Sequence, residues 1–118
     1  MLAKNTLGTQ FKDGDVIIKQ GEEGKELFVI QEGTVELLEE VGDKEVFITE
    51  LGREEFFGEM ALFEKDVRSC TIRAKGDVKV LSFDKRSFYK AIQKDPSLAF
   101  RLLEKMANRL RHMNQRLQ

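Results

Sequence analysis

The sequence has little of the material from which metal sites and disulfides are built. It contains one cysteine, Cys70, and one histidine, His112. A single cysteine excludes a disulfide framework within the chain. The two residues are also too few for a typical zinc site of about four ligands or for a thiolate-bound iron–sulfur cluster. A metalloenzyme on a cupin-like roll, which needs several histidines on strands, is therefore disfavoured. We predict no metal, no required cofactor and no enzymatic activity.

Long hydrophobic runs are also absent. No apolar run approaches the ~18 residues of a membrane span, and the opening segment, MLAKNTLGTQ, lacks the hydrophobic stretch of a signal peptide. These features predict a cytoplasmic protein that does not contact a membrane. With 118 residues, of which 41% are hydrophobic and nine are phenylalanine, the chain fits a single domain, 1–118, with one core.

The net charge is small, but the two halves of the chain differ in sign. Residues 1–59 contain 6 Lys+Arg and 15 Asp+Glu, whereas residues 60–118 contain 14 and 6. Either the two halves attract one another in the folded chain, or the basic half meets an anion. Nucleic-acid-binding domains are usually basic overall, and no helix-turn-helix follows the last predicted helix. We therefore expect no direct nucleic-acid contact.

Short β-type runs separated by glycine-containing turns fill the chain from about residue 11 to residue 83. Two of the later runs, Thr71–Ala74 and Val78–Phe83, alternate with the period of a half-buried strand. About eight short strands with frequent turns predict a sandwich, a jelly roll or a barrel. The other predicted strands are Val16–Ile18, Leu27–Ile30, Val35–Leu38 and Val46–Ile48, and turns are predicted at 13–15, 21–24, 32–33 and 42–44.

After Phe83 the pattern becomes that of helices, predicted over about 84–117. Asp84 is a suitable N-cap for a short helix, and Asp95-Pro96 combines an N-cap with proline at the first helical position. The closing helix, 96–117, carries a stripe of apolar residues at heptad spacing: Leu103, Met106, Leu110, Met113 and Leu117. This stripe either packs on the strands or forms the seam of a homodimer.

A second row on the closing helix is basic. Such a row is typical of the solvated face of an amphipathic helix, and a docking surface is the alternative. We expect these side chains to point to solvent and assign them no ligand. The row consists of Arg101, Lys105, Arg109, His112 and Arg116.

The segment that carries chemistry is FFGEMALFEKDVRSC, which begins at Phe56. Gly58 allows a ligand to approach the backbone closely, and the next five residues are predicted to form one helical turn whose first amides can receive an anion. Arg68 suits the two oxygens of a phosphodiester, Ser69 adds a hydroxyl donor, and Glu59 accepts a hydrogen bond from a sugar hydroxyl. This set predicts a site for a nucleotide with one phosphate. A surface ion pair between Glu59 and Arg68 is the alternative.

Two stretches closely resemble signatures of the cyclic nucleotide-binding domain family. IIKQGEEGKELFVIQEG, residues 17–33, resembles the first signature: two aliphatic residues, a turn of glycine and acidic residues, a short apolar strand and a spaced glycine. FGEMAL, residues 57–62, with Arg68-Ser69 after a short spacer, resembles the phosphate-binding cassette. The resemblance extends from about Phe11 to Leu117. It implies a mainly β fold with α: a jelly-roll-like β-roll with a short phosphate-binding helix and C-terminal helices.

The resemblance also implies a role for each residue of the cassette. Arg68 would bind the exocyclic oxygens of the cyclic phosphate, and Glu59 would bind the ribose 2′-hydroxyl. The closing helix would act as a lid and, in bacterial members, as the dimer seam. The implied function is a cyclic-nucleotide sensor that couples ligand binding to movement of helix 96–117. A docking or dimerisation module that keeps the scaffold is the alternative. The phosphate cradle would be completed by Ser69 and by the backbone amides around Gly58, Met60 and Ala61.

Further positions bear on packing and on the base. Cys70 stands where the family usually has alanine, and a small hydrophobic thiol packs much like it. In bacterial members, polar side chains of the closing helix contact the adenine amine; these positions are Met113 and Asn114 here, and Asn114 retains a hydrogen-bonding side chain. A threonine after the arginine often accompanies cGMP binding in kinase relatives, and Ser69 occupies that position. The expected ligand is cAMP, with cGMP as the second candidate.

Overall fold

Two long antiparallel strands form the centre of the molecule. The computed structural model describes residues 8–63 and 66–117. Its longest strands are β4 (Leu27–Val41) and β8 (Thr71–Phe83), which pair from Leu27 opposite Phe83 to Leu38 opposite Thr71. The remaining strands of this part of the chain are β1 Thr9–Phe11, β2 Val16–Ile18, β3 Glu23–Gly24, β5 Lys44–Leu51, β6 Phe56–Phe57 and β7 Asp66–Val67.

The other elements are arranged around this pair. The main sheet has the order β1-β8-β4-β5, with β2 also paired to β8 and β6 to β4, and β3 pairs with β7 in a separate ribbon. A 3₁₀ helix, Glu59–Leu62, follows β6, and helices α1 (Lys85–Lys94) and α2 (Ser97–Leu117) follow β8. The predicted mainly β fold with a short helix in the cassette and C-terminal helices is confirmed.

Two predicted breaks between strands are absent, because β4 and β8 each continue through them. The predicted turn Glu32–Gly33 lies inside β4, where the register with β8 shifts on both sides of Glu32. Gly33 has a φ of +92°, and a Cβ at this position would lie 2.3 Å from the carbonyl oxygen of Asp77 on β8. The glycine therefore marks a bulge at which two strands approach closely. Likewise, the runs Thr71–Ala74 and Val78–Phe83 belong to one strand.

The buried apolar side chains form two clusters. The first lies within the β-roll and includes the fully buried Val35 and Val80. The second joins the roll to the helices, where the rings of Phe83 on β8 and Phe88 on α1 meet edge to face at 5.9 Å. Burying one such side chain stabilises a fold by about 1.5–3 kcal/mol. The second cluster consists of Leu27, Phe56, Leu62, Phe83, Phe88 and Ala91.

Both predicted capping aspartates lie at helix starts, Asp84 directly before α1 and Asp95 two residues before α2. Asp84 Oδ1 accepts a hydrogen bond from the Ser87 amide at 2.7 Å, and this bond is the main reason that the pKa of Asp84 lies below its ordinary value. Asp95 Oδ1 accepts from the Ser97 amide at 3.1 Å, and the Ser97 hydroxyl is the main cause of its lowered pKa. A carboxylate at a helix N-terminus satisfies free amides and complements the helix dipole.

The apolar stripe predicted on α2 divides between two faces. Met106 packs with Leu98 and Leu102 against the second cluster, whereas Leu103 and Leu110 are 62% and 60% exposed. Met113 is also exposed, and the side chains of Leu117 and Arg116 lie outside the described residues. The interpretation that the whole stripe packs on the strands is therefore wrong. Neither α1 nor the described length of α2 combines the apolar character and the length that a membrane crossing requires.

Candidate functional site

Arg68 is buried where the segment after β7 turns into β8. The residue is 7% exposed. Its Nη2 donates a hydrogen bond to the Glu26 carbonyl at 2.8 Å, and its Nη1 donates to the Gly58 carbonyl at 3.2 Å. The main chain is held as well, because the Arg68 amide donates to the Glu22 carbonyl at 2.9 Å and the Arg68 carbonyl accepts from the Gly21 amide at 2.8 Å. These bonds hold a cationic fork in one orientation inside the protein.

Two glycines make room for this guanidinium. A Cβ at Gly24 would lie 1.9 Å from Nε and 2.2 Å from Nη2 of Arg68. A Cβ at Gly58, whose φ is +80°, would lie 2.9 Å from Nη1 of Arg68 and 2.8 Å from the Glu26 carbonyl oxygen. A larger residue at either position would collide with the arginine, so both glycines are needed for the close approach of backbone and guanidinium.

A cavity of about 320 Å³ opens beside Arg68. Apart from Arg68, its walls come from β2, from β3 and the residues around it, and from Phe28 on β4. Such a volume lies at the lower end of the roughly 300–1,000 Å³ typical of small-molecule sites. The cavity therefore presents a buried arginine and closely approached backbone to a ligand of modest size.

A larger cavity of about 830 Å³ lies between the sheet and the two helices. Its floor includes core side chains such as Leu27 and Phe83, and its rim carries exposed charges such as Lys94 and Glu104. The residues that line it include none of the predicted site residues. Size alone favours the larger cavity. Chemistry favours the smaller one, because a desolvated guanidinium offers an anion stronger hydrogen bonds than solvated rim charges do.

Glu59 begins the 3₁₀ helix and contacts α2. Its Oε1 lies 3.4 Å from Nη1 of Arg109. The same guanidinium donates from Nη2 to the Phe56 carbonyl, and its central carbon lies 4.2 Å from the centroid of the Phe56 ring. The prediction that Arg109 belongs to the solvated face of the helix is therefore wrong. The alternative of a surface ion pair between Glu59 and Arg68 is disfavoured, because Arg68 is buried.

The other cassette residues differ in exposure. Met60 is 48% exposed, Ser69 is exposed and Ala61 is half-buried. The Ala61 amide donates to the Gly58 carbonyl at 3.2 Å within the 3₁₀ helix, so it shares this acceptor with Arg68. The structure thus brings Gly58 and Arg68 into contact and places Glu59, Met60 and Ala61 directly after Gly58 in the 3₁₀ helix.

Asn114 lies on a different side of α2 from Arg109. The two residues are five positions apart, which places them about 140° from each other around a helix. Asn114 is exposed, and it lies one turn beyond Leu110 on the exposed apolar face. The structure therefore groups Asn114 with that face rather than with the face that meets Glu59.

A polar network fixes the strands beside Arg68. Glu40 on β4 pairs with Lys19 at 2.8 Å and accepts a hydrogen bond from the Thr71 hydroxyl at 2.7 Å. The Gln20 amide group bonds both the amide and the carbonyl of Glu40. The bond from Lys19 is the main reason that the pKa of Glu40 is lowered, and Thr71 is the next. This network anchors the start of β8, three residues after Arg68.

Cys70 and His112, the two residues of metal-binding type, have ordinary surroundings. Cys70 packs against the first cluster, as expected for a substitute of alanine, and His112 is exposed on α2. In the described ranges, 8–63 and 66–117, no three acidic, histidine or cysteine side chains come together as a potential metal site.

Sequence reasoning missed three contributors to the site. Gly24 and the Glu26 carbonyl belong to the first signature stretch, but only their contact with Arg68 shows their roles. Arg109 continues the partly buried row of Leu98, Leu102 and Met106 after three more residues, so helical spacing allowed it on that face. Its charge suggested the basic row instead.

Comparison with known proteins finds a family match that covers both the strands and the cassette residues. A family model described as cyclic nucleotide-binding domain matches residues 9–95, a range that contains all the described strands and α1. The cAMP-dependent protein kinase type II regulatory subunit of Drosophila melanogaster is 37% identical over 82 residues, which are 70% of this chain and 22% of that protein. The chain thus spans about a fifth of the length of this relative.

Solved structures agree with this match. The catabolite activator protein of Thermus thermophilus is 28% identical with a TM-score of 0.78, and the match covers 98% of this chain and 55% of that one. An EAL enzyme in its cGMP-bound form is 27% identical with a TM-score of 0.66, and the match covers 92% of this chain and 29% of that one.

Proposed function

Because the chain belongs to the cyclic nucleotide-binding domain family, we propose that it is a sensor that binds cAMP and transmits this binding through α2. Its membership makes it a cyclic nucleotide-binding regulatory domain. The preference for cAMP over cGMP, the part played by α2 and a cytoplasmic location are proposals. We also propose that the domain works without an enzymatic activity of its own.

The burial of Arg68 between Gly24 and Gly58 carries this proposal. A cyclic phosphate presents two exocyclic oxygens and one negative charge, which match the planar fork of an arginine. Backbone carbonyls already orient the Arg68 guanidinium, so little side-chain entropy remains to be lost when the ligand binds. In this proposal Arg68 binds the phosphate, and Glu59 accepts a hydrogen bond from the ribose 2′-hydroxyl.

The relatives bear on whether the ligand is cAMP or cGMP. The Drosophila relative is a regulatory subunit of a cAMP-dependent kinase, and the EAL enzyme has a cGMP-bound form. The higher identity to the former favours cAMP, and cGMP is the second candidate. Ser69, beside Arg68, adds a hydroxyl donor that serves either cyclic phosphate.

Calorimetric titration of the purified chain with cAMP, cGMP and linear AMP tests the proposal. We expect one molecule of cAMP per chain, weaker binding of cGMP and much weaker binding of AMP. Arg68→Ala should weaken cAMP binding by about 2–5 kcal/mol, since it removes one partner of a buried charge pair. Arg73→Ala is the matched control, because Arg73 lies five residues later on β8 but pairs with Glu45 near the surface at 3.3 Å.

Unchanged affinity in a folded Arg68→Ala variant would remove Arg68 from the site. Tighter binding of cGMP than of cAMP would reverse the proposed base preference. Absence of binding by any cyclic nucleotide would favour the alternative, a docking or dimerisation module on the same scaffold.

We further propose that α2 forms the seam of a homodimer. Leu103, Leu110 and Met113 leave an apolar face exposed, and Asn114 lies on the same side, where a single polar residue can fix the register of two helices. Sedimentation equilibrium should give twice the chain mass at micromolar concentration. Leu110→Glu should restore the monomer. A monomer at all concentrations would contradict the proposed seam.

A further inference from the structure

The larger cavity plays no part in the proposed nucleotide site. It has a volume of about 830 Å³, lies between the sheet and the two helices, and shares no lining residue with the cavity beside Arg68. Its volume lies in the upper part of the roughly 300–1,000 Å³ that is typical of small-molecule sites. The residues that line it therefore indicate, independently of Arg68, what kind of ligand it can hold.

The floor of this cavity is apolar and incompletely covered. Val29 on β4 and Leu81 on β8 lie opposite each other in the strand register, and both are half-buried. Leu98 and Leu102 line the cavity from α2 and are half-buried as well. Apolar surface that is still open to water gains free energy when a ligand covers it. The floor therefore suits a ligand with an apolar body.

The cavity follows α2 over about two turns. Its lining residues on this helix run from Leu98 to Lys105, which corresponds to about 10 Å along the axis at a rise of 1.5 Å per residue. The lining continues to Lys94, the last residue of α1. An elongated space between a helix and a sheet accepts an unbranched chain more readily than a compact ring system.

The charged residues that line this cavity differ in burial. Lys79 on β8 and Lys105 on α2 are half-buried, one on the sheet side and the other on the helix side. The remaining charged residues of the lining, including the acidic Glu32, Glu54 and Glu104, are exposed. Water and salt screen exposed charges far more than partly buried ones. The two lysines therefore dominate the electrostatics that a ligand in the cavity meets, and they favour an anion.

Neither lysine is paired with a carboxylate within residues 8–63 and 66–117, which the structure describes. Glu32 lies opposite Lys79 in the strand register, yet the ion pairs of this part of the chain involve other cations. Lys75 on β8 provides the contrast, because it is exposed and pairs with Glu50 at 2.5 Å. Partial burial of a cation costs free energy that an anionic partner offsets. Since Lys79 and Lys105 both line the cavity, a ligand within it can supply that anion.

We propose that this cavity binds a fatty acid. The alkyl chain lies between the sheet and α2, in contact with Val29, Leu81 and Leu102, and the carboxylate is held by Lys79 and Lys105. This site is separate from the proposed nucleotide site and does not depend on it. The domain thus carries a second small-molecule site, for a ligand of a different chemical class.

Calorimetric titration of the full chain with octanoate, decanoate and dodecanoate, each below its critical micelle concentration, tests this site. We expect one molecule per chain and an affinity that rises about fourfold for each added methylene, as burial of a CH₂ group predicts. Decanol is the neutral control of equal chain length, and it should bind more weakly than decanoate because it lacks the charge-assisted hydrogen bonds. Saturating cAMP should not displace decanoate, because the two cavities share no lining residue.

Variants separate the contact with the carboxylate from the contact with the chain. Lys79→Gln and Lys105→Gln should each weaken decanoate binding by about tenfold, as expected for a hydrogen bond to a charged group, and leave decanol binding unchanged. Lys94→Gln is the matched control, because Lys94 lines the same cavity but is exposed, and it should have little effect. Leu81→Trp, which fills the cavity, should weaken both ligands. Leu103→Trp, on the exposed face of α2, should weaken neither.

Several results would overturn the fatty-acid site. They are the absence of binding by all three acids, an affinity that does not rise with chain length, and unchanged decanoate binding in both lysine variants. Displacement of decanoate by cAMP would place the acid in the nucleotide cavity and would overturn the site as well. The lysine variants change partly exposed side chains, so they should stay folded in thermal unfolding and decide the matter even if Leu81→Trp does not fold. Failure of cAMP to bind would overturn only the proposed nucleotide function.

Discussion

Two arginines reach the segment Phe56–Glu59, and they come from regions built very differently. Arg68 is 7% exposed and is held by backbone bonds to Gly21 and Glu22. Arg109 comes from a helix that meets the roll through three partly buried apolar residues, beside a cavity of about 830 Å³. The first region is fixed before a ligand arrives. The second is attached by few contacts, so its position can change at small cost. Under the proposed function, ligand recognition would belong to the first region and the response to the second.

The largest effect on the region around Arg68 should come from filling the space beside its guanidinium. Gly24→Ala would place a Cβ 1.9 Å from Nε of Arg68. The guanidinium is the end of a flexible side chain, so it would move aside while the fold remains. We expect the free energy of cAMP binding to weaken by roughly 2–5 kcal/mol, as for a truncated charge pair. The change in thermal stability should be small. Calorimetry and thermal unfolding measure the two effects.

Gly52→Ala is the matched control for this substitution. No atom lies within 4 Å of a Cβ at Gly52, and no positive φ requires glycine there. Affinity should therefore stay unchanged. Equal losses at Gly24 and Gly52, or none at either, would contradict the fixed geometry that we assign to Arg68.

The attachment of α2 is tested by two adjacent leucines. Leu102 packs on the second cluster, whereas Leu103 is 62% exposed. Leu102→Ala should lower the free energy of unfolding by about 1–2 kcal/mol, less than a fully buried leucine would. At concentrations that keep the chain monomeric, Leu103→Ala should change it by less than about 0.5 kcal/mol. Denaturant unfolding measures both, and a larger effect at Leu103 would contradict the observed facing of α2.

The junction between the two regions gives the smallest effect. Asp84 caps α1, which links β8 to α2, and Asp84→Ala should destabilise the fold by about 1 kcal/mol at neutral pH. The pKa of Asp84 is lowered in the folded chain, so its contribution is complete above the ordinary aspartate pKa of about 3.9. It is lost as the pH falls through the lowered value. Unfolding curves of the two proteins should therefore converge in acid; a difference that grows in acid would refute the cap.

The sequence predicted most of the region around Arg68 and less of the region around α2. Strand runs, caps and the cassette were readable because their signals are local: alternation, an aspartate before a helix, a glycine and an arginine at fixed spacing. The turn predicted at Glu32–Gly33 was wrong because the same glycine that ends a strand also permits a bulge, and the partner strand decides between them. The contact of Arg68 with Glu26 joins residues 42 positions apart, and no local pattern carries it.

The region around α2 was harder to predict for a different reason. On α2 the apolar and basic rows overlap, so spacing alone is compatible with either face for both Met106 and Arg109. Tertiary packing resolves the choice, because the second cluster accepts the row that contains Leu98 and Leu102. A helix with two apolar faces predicts two partners, and the sequence does not rank them.

The pairing of β4 with β8 has a consequence for the order in which the chain folds. Leu27 lies opposite Phe83, so most of the chain between them must be closed into a loop before the central pair forms. Such non-local pairing slows folding, since the entropy of loop closure is lost before contacts repay it. Glu26 and Gly58, whose carbonyls accept from the Arg68 guanidinium, precede β8 in the chain, and Arg68 itself lies three residues before that strand. During synthesis the nucleotide site should therefore appear in a single late step, after Phe83 has left the ribosome. A chain stopped before that point would carry every residue of the cassette but lack the complete strand that pairs with β4.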